Sequence, residues 1–326
     1  MRHVKSFVCQ ELFPESDTVE ETRRRFFPTR KDISNLLLKS RYEGHNSKLD
    51  QENILHLVQN WQKQTPNCSI FCRANSVSEA NSVQQNFLFC YQTDWQKKLL
   101  KKYGNQITLL DATYRTTRYA LPLFFLCVRT NVCYTVVAAF VTQLETSMCI
   151  LEPLNILKQW NDEWKPSCFM VDFCLEEINA LSNCFPDASI MLCDFHREKA
   201  WTEWVAKKDH GVHNFRKNIL GMLRSIAHAA TTEDLHTALT ALKKSQCWKT
   251  GEAFRQWFST KWLPAIKMWA HVYRSGTEHI GVNTNNGLER QYETLKYSYL
   301  DGYKNCTLSE LLTVLHSTFF PNAYKK

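Results

Sequence analysis

Two acidic residues follow apolar, strand-like runs of the sequence. Asp111 closes the run 107–110, and Asp172 closes the run 167–171. Carboxylates at the carboxyl ends of neighbouring strands can converge on one point above an α/β sheet. Two such carboxylates can share divalent cations, and hard oxygen ligands suit Mg²⁺ or Mn²⁺. A pair of ions about 3.5–4 Å apart could activate a water and stabilise the leaving oxygen in phosphodiester cleavage.

A third acid is available on a late helix-like segment. Glu289 lies in the run Asn-Thr-Asn-Asn-Gly-Leu-Glu-Arg that starts at Asn283. The alternatives for this third acid are Glu293, which shares a helix face with Glu289 one turn earlier, and Glu278. The spacing by itself favours acids that only end strands and cap helices, since Asp is a favoured turn and cap residue.

One Cys-x-x-His pair, Cys193 and His196, lies between the second and third acids. Thiolate and neutral imidazole are good zinc ligands, but a structural zinc site normally takes four ligands and this pair supplies two. Zinc is therefore not expected here. The pair is interpreted as packing residues, with Cys193 buried at a strand end and His196 hydrogen-bonded at a helix start.

The elements that would position these residues lie in the region 86–211. Three strand candidates come first, the last two joined as a hairpin through Thr130 and Asn131, and strand–helix units follow. This order predicts a mixed α/β sheet. The predicted strands are 107–110, 121–129, 133–142, 167–171 and 188–193, and the predicted helices are 145–160, 175–185 and 196–207.

Three further regions flank this core. Residues 1–85 are predicted to be a helical lead-in and linker, with helices at 32–38 and 50–61 and a polar connector at 75–86. Residues 212–280 have a helical pattern, and their four tryptophans are interpreted as core residues. Residues 281–326 are predicted to complete the core with helices at 283–299, where Asn285 or Asn286 is the expected cap, and at 308–315.

Composition narrows the class of protein. No apolar run is long enough to span a bilayer and no secretory signal begins the chain, so a soluble intracellular protein without membrane contact is expected. The 13 cysteines are odd in number and scattered, which favours reduced, mostly buried thiols. The net charge of +8 slightly favours anionic partners.

The ordered series of motifs resembles the Mutator-like (MULE) transposase domain. The matching pieces span roughly residues 86–300: Asp111-Ala-Thr-Tyr-Arg, Leu121-Pro-Leu, Glu145-Thr-Ser, Val171-Asp172, Cys184-Phe-Pro-Asp187-Ala, Leu192-Cys-Asp-Phe-His196 and Asn286-Gly-Leu-Glu289-Arg. The resemblance implies an α/β, ribonuclease H-like mixed sheet with flanking helices and an all-helical insertion before the last catalytic acid. It also implies a catalytic, metal-binding triad of Asp111, Asp172 and Glu289 that holds two Mg²⁺ or Mn²⁺ ions.

Two departures from the family pattern bear on this interpretation. The residues after Asp172 are Phe-Cys-Leu-Glu-Glu instead of a small, Gly-containing turn, which puts the metal geometry at this aspartate in question. No zinc-dependent DNA-binding module or SWIM module is visible, so the sequence is compatible with a fragment or a shortened domesticated copy.

The resemblance implies a nuclear protein whose partner is DNA, with a homo-oligomer assembled on transposon ends. Exposed basic residues could contact phosphates. The alternatives are a domesticated, non-catalytic nuclear DNA-binding or transcription-regulatory protein that retains the transposase fold, and an interaction module without a nucleic-acid partner. The candidate DNA-binding residues are Arg115, Arg118, Lys199, Lys207, Lys208 and Arg290.

Overall fold

The structure, a computed structural model, describes residues 50–77, 84–274, 282–300 and 306–323. The chain divides into two units, 1–56 and 57–326. The described strands are β1 (Ser69–Arg73), β2 (Ser76–Val77), β3 (Gln84–Gln85), β4 (Leu88–Gln92), β5 (Ile107–Thr113), β6 (Leu123–Arg129), β7 (Tyr134–Thr142), β8 (Cys168–Val171) and β9 (Ser189–Leu192).

The helices are distributed along the whole described chain. They are α1 (Asp50–Gln64), α2 (Asp94–Tyr103), α3 (Ser147–Trp160), α4 (Leu175–Cys184), α5 (Asp194–Ala206), α6 (Arg216–Ala227), α7 (Thr232–Lys244), α8 (Gln246–Thr250), α9 (Glu252–Trp257), α10 (Ile266–Trp269), α11 (Asn286–Thr294), α12 (Leu308–Val314) and α13 (Phe320–Ala323). π-helical turns extend α9, α11 and α12 at Phe258–Trp262, Leu295–Tyr299 and Leu315–Phe319.

Seven strands form one mixed sheet in the order β1-β4-β7-β6-β5-β8-β9. The pairs from β1 to β5 in this order are antiparallel, whereas β8 pairs with β5 and β9 pairs with β8 in parallel. The hairpin between β6 and β7 closes where the amide of Thr130 donates to the carbonyl of Cys133 at 2.9 Å. The predicted mixed α/β sheet, with antiparallel strands followed by strand–helix units, is therefore confirmed.

The two faces of this sheet are covered by different helices. Side chains alternate along a strand. On one face Leu110 and Phe124 share a core with Ile150 of α3 and Leu181 of α4. These strands are buried, and their sequences are nearly continuous apolar runs. The core between the sheet and the two helices is therefore apolar.

The opposite face carries the other set of strand side chains. Phe125 stacks on Tyr292 of α11, with ring centroids 4.7 Å apart, and lies 5.8 Å from Phe319. Phe320 of α13 stacks on Tyr91 of β4 at 5.6 Å. The helices that follow residue 285 in the chain therefore cover the face on which Phe125 lies.

A block of helices lies between β9 and α11. Helices α6 to α10 are connected by short turns, and no strand lies between residues 208 and 274. Trp262 and Trp269 are fully buried and pack edge-to-face against Trp201 at 5.4 and 5.3 Å. The core interpretation is confirmed for these two tryptophans, whereas Trp248 and Trp257 are partly exposed.

The region before residue 86 contains three strands that its sequence pattern did not predict. β1 adds to the edge of the main sheet by pairing with β4, and β2 pairs with β3 within the predicted connector. β4 is buried throughout, so it lacks the period-2 pattern of apolar residues that marks a half-buried strand. β1 lacks this pattern as well. The predicted helix at 32–38 lies outside the described residues.

The cysteine and membrane expectations can be compared with the described residues. All 12 cysteines there are free, and 7 of them are buried, in agreement with the reduced thiols that the sequence predicted. Within the same ranges, every helix is too short or too polar to cross a bilayer.

Candidate functional site

Asp111 and Asp172 lie on neighbouring strands of the sheet. β5 pairs with β8 in a register that ends with Leu109 opposite Met170, and Asp111 and Asp172 each follow two residues later in the chain. Leu110 and Val171 point into the core shared with α3 and α4. Because side chains alternate, both aspartates point to the opposite face, which α11 covers.

The sequence predicted Asp111 at the end of its strand, and the structure shows that this prediction is wrong. β5 continues to Thr113, which pairs with Leu123, whereas the ladder with β8 ends at Leu109. The predicted strand covered only the apolar run. Hydrogen bonds to β6 extend the observed strand beyond that run. Asp111 therefore lies where the parallel partner ends and the antiparallel partner continues.

Helix α11 brings Glu289 to the same face. The Tyr292 hydroxyl donates a hydrogen bond to the carbonyl of Asp111 and accepts one from the amide of Phe125 at 2.9 Å. Tyr292 is buried and lies three residues after Glu289, so both share one face of the helix. The tyrosine thus anchors α11 to β5 with Glu289 above the aspartates.

His196 of α5 contacts two of the three acids. Its Nδ1 lies 2.7 Å from Oδ1 of Asp172, and its Nε2 lies 2.9 Å from Oε1 of Glu289. The contact of Nδ1 with Asp172 is an ion pair. A single imidazole ring therefore connects the carboxylates of a strand and of a distant helix.

The charges of these groups shift one another's pKa. Burial and the neighbouring Asp172 raise the pKa of Asp111 to about 8. Burial lowers the pKa of His196, but its contacts with Asp172 and Cys193 outweigh this and raise it to about 10. At neutral pH the imidazole is therefore charged and partly neutralises the acids, which is the expected response of a carboxylate cluster.

Lys296 is a second positive charge near Asp111. Its Nζ donates to Oγ1 of Thr113 at 2.5 Å. Burial lowers its pKa, while the charge of Asp111 acts in the opposite direction. The sequence analysis did not single out this lysine because it lies in the π-helical turn after α11, far in sequence from the aspartate.

Asn285 is a further site residue that the sequence analysis assigned only as a helix cap. It occupies the cap position of α11, but its side chain makes no capping hydrogen bond. Instead, its Nδ2 donates to Oδ1 of Asp172 at 3.0 Å and its Oδ1 accepts from Sγ of Cys193 at 3.0 Å. Asn285 is fully buried and fixes the orientation of the Asp172 carboxylate.

The Cys-x-x-His pair has two different environments. Cys193 is buried, whereas His196 lies among the acids and not in a packing position. Ligand-type atoms of Asp172, Cys193 and His196 all lie within 4.8 Å of one another. Within the described ranges, Asp111, Asp172 and Glu289 do not form a group that tight.

The alternatives for the third acid have different outcomes. Glu293 is exposed, and Glu278 lies outside the described residues. The six candidate DNA-binding residues, Arg115, Arg118, Lys199, Lys207, Lys208 and Arg290, are all exposed. Their role stays a prediction. Arg115 has a positive φ of 59°, which is uncommon for a residue with a side chain.

Gly287 permits the close approach of α11 to the sheet. A Cβ at this position would lie 2.1 Å from Cγ of Tyr134, which no real contact allows. We expect Gly287→Ala to destabilise the protein by about 1–3 kcal/mol, because the ring of Tyr134 must move. Urea unfolding measures this change.

The matched control for this substitution is Gly221→Ala in α6, where nothing lies within 4 Å of the added Cβ. The control should gain roughly 0.5–1 kcal/mol, because alanine is the better helix former. An unchanged stability of Gly287→Ala would show that α11 does not pack on Tyr134.

The comparisons with known proteins concern the first part of this site. Residues 62–191 match the family model of the RNaseH-like domain of zinc finger SWIM domain-containing protein 1/3. The matched segment contains Asp111 and Asp172 and ends before Cys193. The comparison with curated proteins finds no match. The mixed sheet with its flanking helices, together with this match, makes the fold ribonuclease H-like, as the sequence predicted.

Proposed function

We propose that the chain is a DNA-processing domain of the Mutator-like transposase type, with Asp111, Asp172 and Glu289 as its catalytic acids. One observation carries this proposal. Two aspartates on adjacent strands point to the same face of the sheet, and the helix that covers this face supplies Glu289. Acids on opposite faces could not share ligands, so the common face of these acids supports the proposal.

The three acids of the triad are ligands of the kind that a pair of divalent cations takes. The three carboxylates are hard oxygen ligands, and the positive ring of His196 already lies between two of them. A span of about 8 Å, two ligand bonds plus the distance between the ions, suits acids that are farther apart than a single ion allows. When bound, Mg²⁺ or Mn²⁺ would supply Lewis-acid stabilisation of the phosphate and an activated water.

The protein's own groups would hold and orient the DNA. Asn285 keeps the Asp172 carboxylate in place, and Tyr292 keeps Glu289 over the sheet. Lys296 places a positive charge beside Asp111, where it could neutralise a phosphate oxygen. Of the exposed basic residues, Arg290 follows Glu289 directly, and Arg115 lies four residues after Asp111. These two arginines would position the DNA backbone beside the triad.

A second candidate function is a domesticated, non-catalytic DNA-binding protein of the nucleus. It is favoured by the charged His196, which contacts both Asp172 and Glu289 and so competes with a cation for them. The match to the RNaseH-like domain of a SWIM-type protein is in line with this alternative. In this case the fold would bind DNA through its basic surface while the acids stay neutralised by histidine.

DNA binding and DNA cleavage separate these candidates in one experiment. The full chain is incubated with supercoiled plasmid in Mg²⁺, Mn²⁺ or a chelator, and its DNA affinity is measured between low and physiological salt. Both candidates predict salt-dependent binding, with a log–log slope of about −5 if all six basic residues contact phosphates. Metal-dependent nicking supports the transposase-type activity.

Controls make the outcomes of this experiment unambiguous. Lys207→Gln with Lys208→Gln should reduce the slope by about 2. Lys98→Gln with Lys101→Gln should leave it unchanged, since these two lysines pair with Asp94 and Glu163. Binding without nicking on plasmid and on candidate transposon ends would favour the non-catalytic protein. An absence of binding at low salt would reject both.

A further inference from the structure

A second group of metal-ligand residues lies beside the triad. Ligand atoms of Glu145, Cys174 and Glu177 all lie within 4.8 Å of one another. Cys174 precedes α4 and Glu177 lies in its first turn, while Glu145 lies just before α3. This group shares no member with Asp172, Cys193 and His196, the other such group in the part of the chain that the structure describes.

Glu177 is a buried carboxylate without a partner for one of its oxygens. Only 2% of the residue is exposed, and its Oε2 has no hydrogen-bond partner. A buried, unpaired carboxylate is strongly unfavourable, so such groups are normally paired, protonated or bound to a metal. Burial and the charges of Asp111 and Asp172 raise the pKa of Glu177 well above the ordinary value. This residue belongs to the same group as a thiol and a second carboxylate.

Tyr114 lies near this group. Burial and the neighbouring Glu145 raise the pKa of Tyr114. Tyr114 follows the end of β5. The charges of Asp111 and Asp172 act on Glu177, so this group lies close to the triad.

We propose that Glu145, Cys174 and Glu177 form a zinc site that is separate from the acid triad. Thiolate and carboxylate are two of the ligand types that zinc takes, and the three protein ligands leave a fourth position for water. The soft thiolate disfavours Mg²⁺ and distinguishes this site from the all-oxygen triad. With a metal bound, the two carboxylates and the thiolate would carry three negative charges, which the cation would compensate.

This site does not depend on the proposed catalytic function. The sequence analysis did not expect zinc, because the Cys-x-x-His pair supplies only two ligands, and the site proposed here uses other residues. It also gives a role to Cys174 and Glu177, two residues of the segment after Asp172 that departs from the small turn of Mutator-like transposases. Zinc there would fix the start of α4 to the end of β7.

Cobalt is the probe that tests this site. The full chain is freed of metal by a chelator, titrated with Co²⁺ and then with Zn²⁺. We expect near-ultraviolet absorption from cobalt–thiolate charge transfer, which Zn²⁺ abolishes by displacement. Cys174→Ser should remove this absorption, and Glu177→Gln should weaken Co²⁺ binding by roughly 10-fold or more. Glu177→Gln also removes the buried charge, so the variant should fold.

Three other variants serve as controls. Cys133→Ser alters an exposed cysteine in the β6–β7 hairpin and should keep the absorption. Asp111→Asn should keep it as well, because the triad is not part of the site. No absorption in the wild type, or unchanged absorption in Cys174→Ser, would overturn the proposal. Loss in Cys193→Ser with retention in Cys174→Ser would also overturn it and assign the metal to Asp172, Cys193 and His196.

Discussion

Asp111→Asn is expected to lower metal-dependent DNA cleavage by on the order of 10³-fold or more, while the protein still folds. Asparagine keeps the volume of the side chain and most of its hydrogen bonding but removes the charge that would hold a divalent ion. Cleavage rates under single-turnover conditions, with far-ultraviolet circular dichroism as the check on folding, measure the effect. Asp187→Asn, an exposed acid before β9, is the matched control and should keep full activity.

The same substitution has a second expected result in the metal-free protein. The pKa of Asp111 is raised to about 8, above the value of about 3.9 in an unfolded chain. The folded state therefore binds the proton more tightly, and this contribution to stability is lost as the pH rises from about 4 through 8. Asp111→Asn should become more stable than wild type across that interval. Cleavage at the wild-type rate by this variant would show that Asp111 is not a catalytic acid.

Asp194→Asn is expected to destabilise the protein by about 3–5 kcal/mol, because it leaves buried cations without their anion. Asp194 pairs with Nη1 of Arg197 at 2.6 Å and with Nε2 of His271 at 2.8 Å, and Arg274 lies 3.2 Å away. The Arg197 side chain is only 2% exposed. Urea unfolding of the variant measures the loss.

The pH dependence of this cluster follows from the pKa of Asp194. Burial raises the pKa, but the hydrogen bond from His271 and the charges of Arg274 and Arg197 lower it below the ordinary value. A depressed carboxyl pKa contributes stability above the unfolded value near 4, and this is lost as the pH falls through the folded value. The gap between wild type and Asp194→Asn should therefore narrow below about pH 4.

Asp209→Asn is the matched control for Asp194→Asn, since Asp209 is exposed in the short turn after α5. It should change stability by less than about 0.5 kcal/mol. A loss of the same size in both variants, or a gap that stays constant down to low pH, would contradict the ion-pair account of the Asp194 cluster.

Most of the central sheet could be predicted from local sequence because its strands are apolar runs that end at polar residues. This rule holds for the strands around Phe125, Val137 and Phe169. The helix that begins near Ser147 was predicted as well. The edge strand β1 could not be predicted, because its residues are only half buried and its pairing with β4 is a long-range contact. The helix after Asn286 ends at Tyr299 as predicted, although its last turn, from Leu295, is π-helical.

The candidate site was predictable only in its acids. Asp111 and Asp172 follow apolar runs. Glu289 lies in a motif with Gly287, where any side chain would collide with the ring of Tyr134. The contacts of Asn285 and His196 with Asp172 join residues far apart in sequence, so neither propensity nor spacing reveals them. Burial of Glu177 was hidden for the same reason, as an acid in the first turn of a helix is ordinarily a solvated residue.

Binding of Mn²⁺ tests most directly whether Asp111, Asp172 and Glu289 form one metal centre. A titration of the full chain, followed by the electron paramagnetic resonance signal of free Mn²⁺, gives the number and affinity of bound ions. The account predicts saturable binding by the wild type and by Cys174→Ser, with an affinity at least about 10-fold lower in Asp172→Asn. Equal Mn²⁺ binding by wild type and Asp172→Asn, or no binding by the wild type, would contradict it.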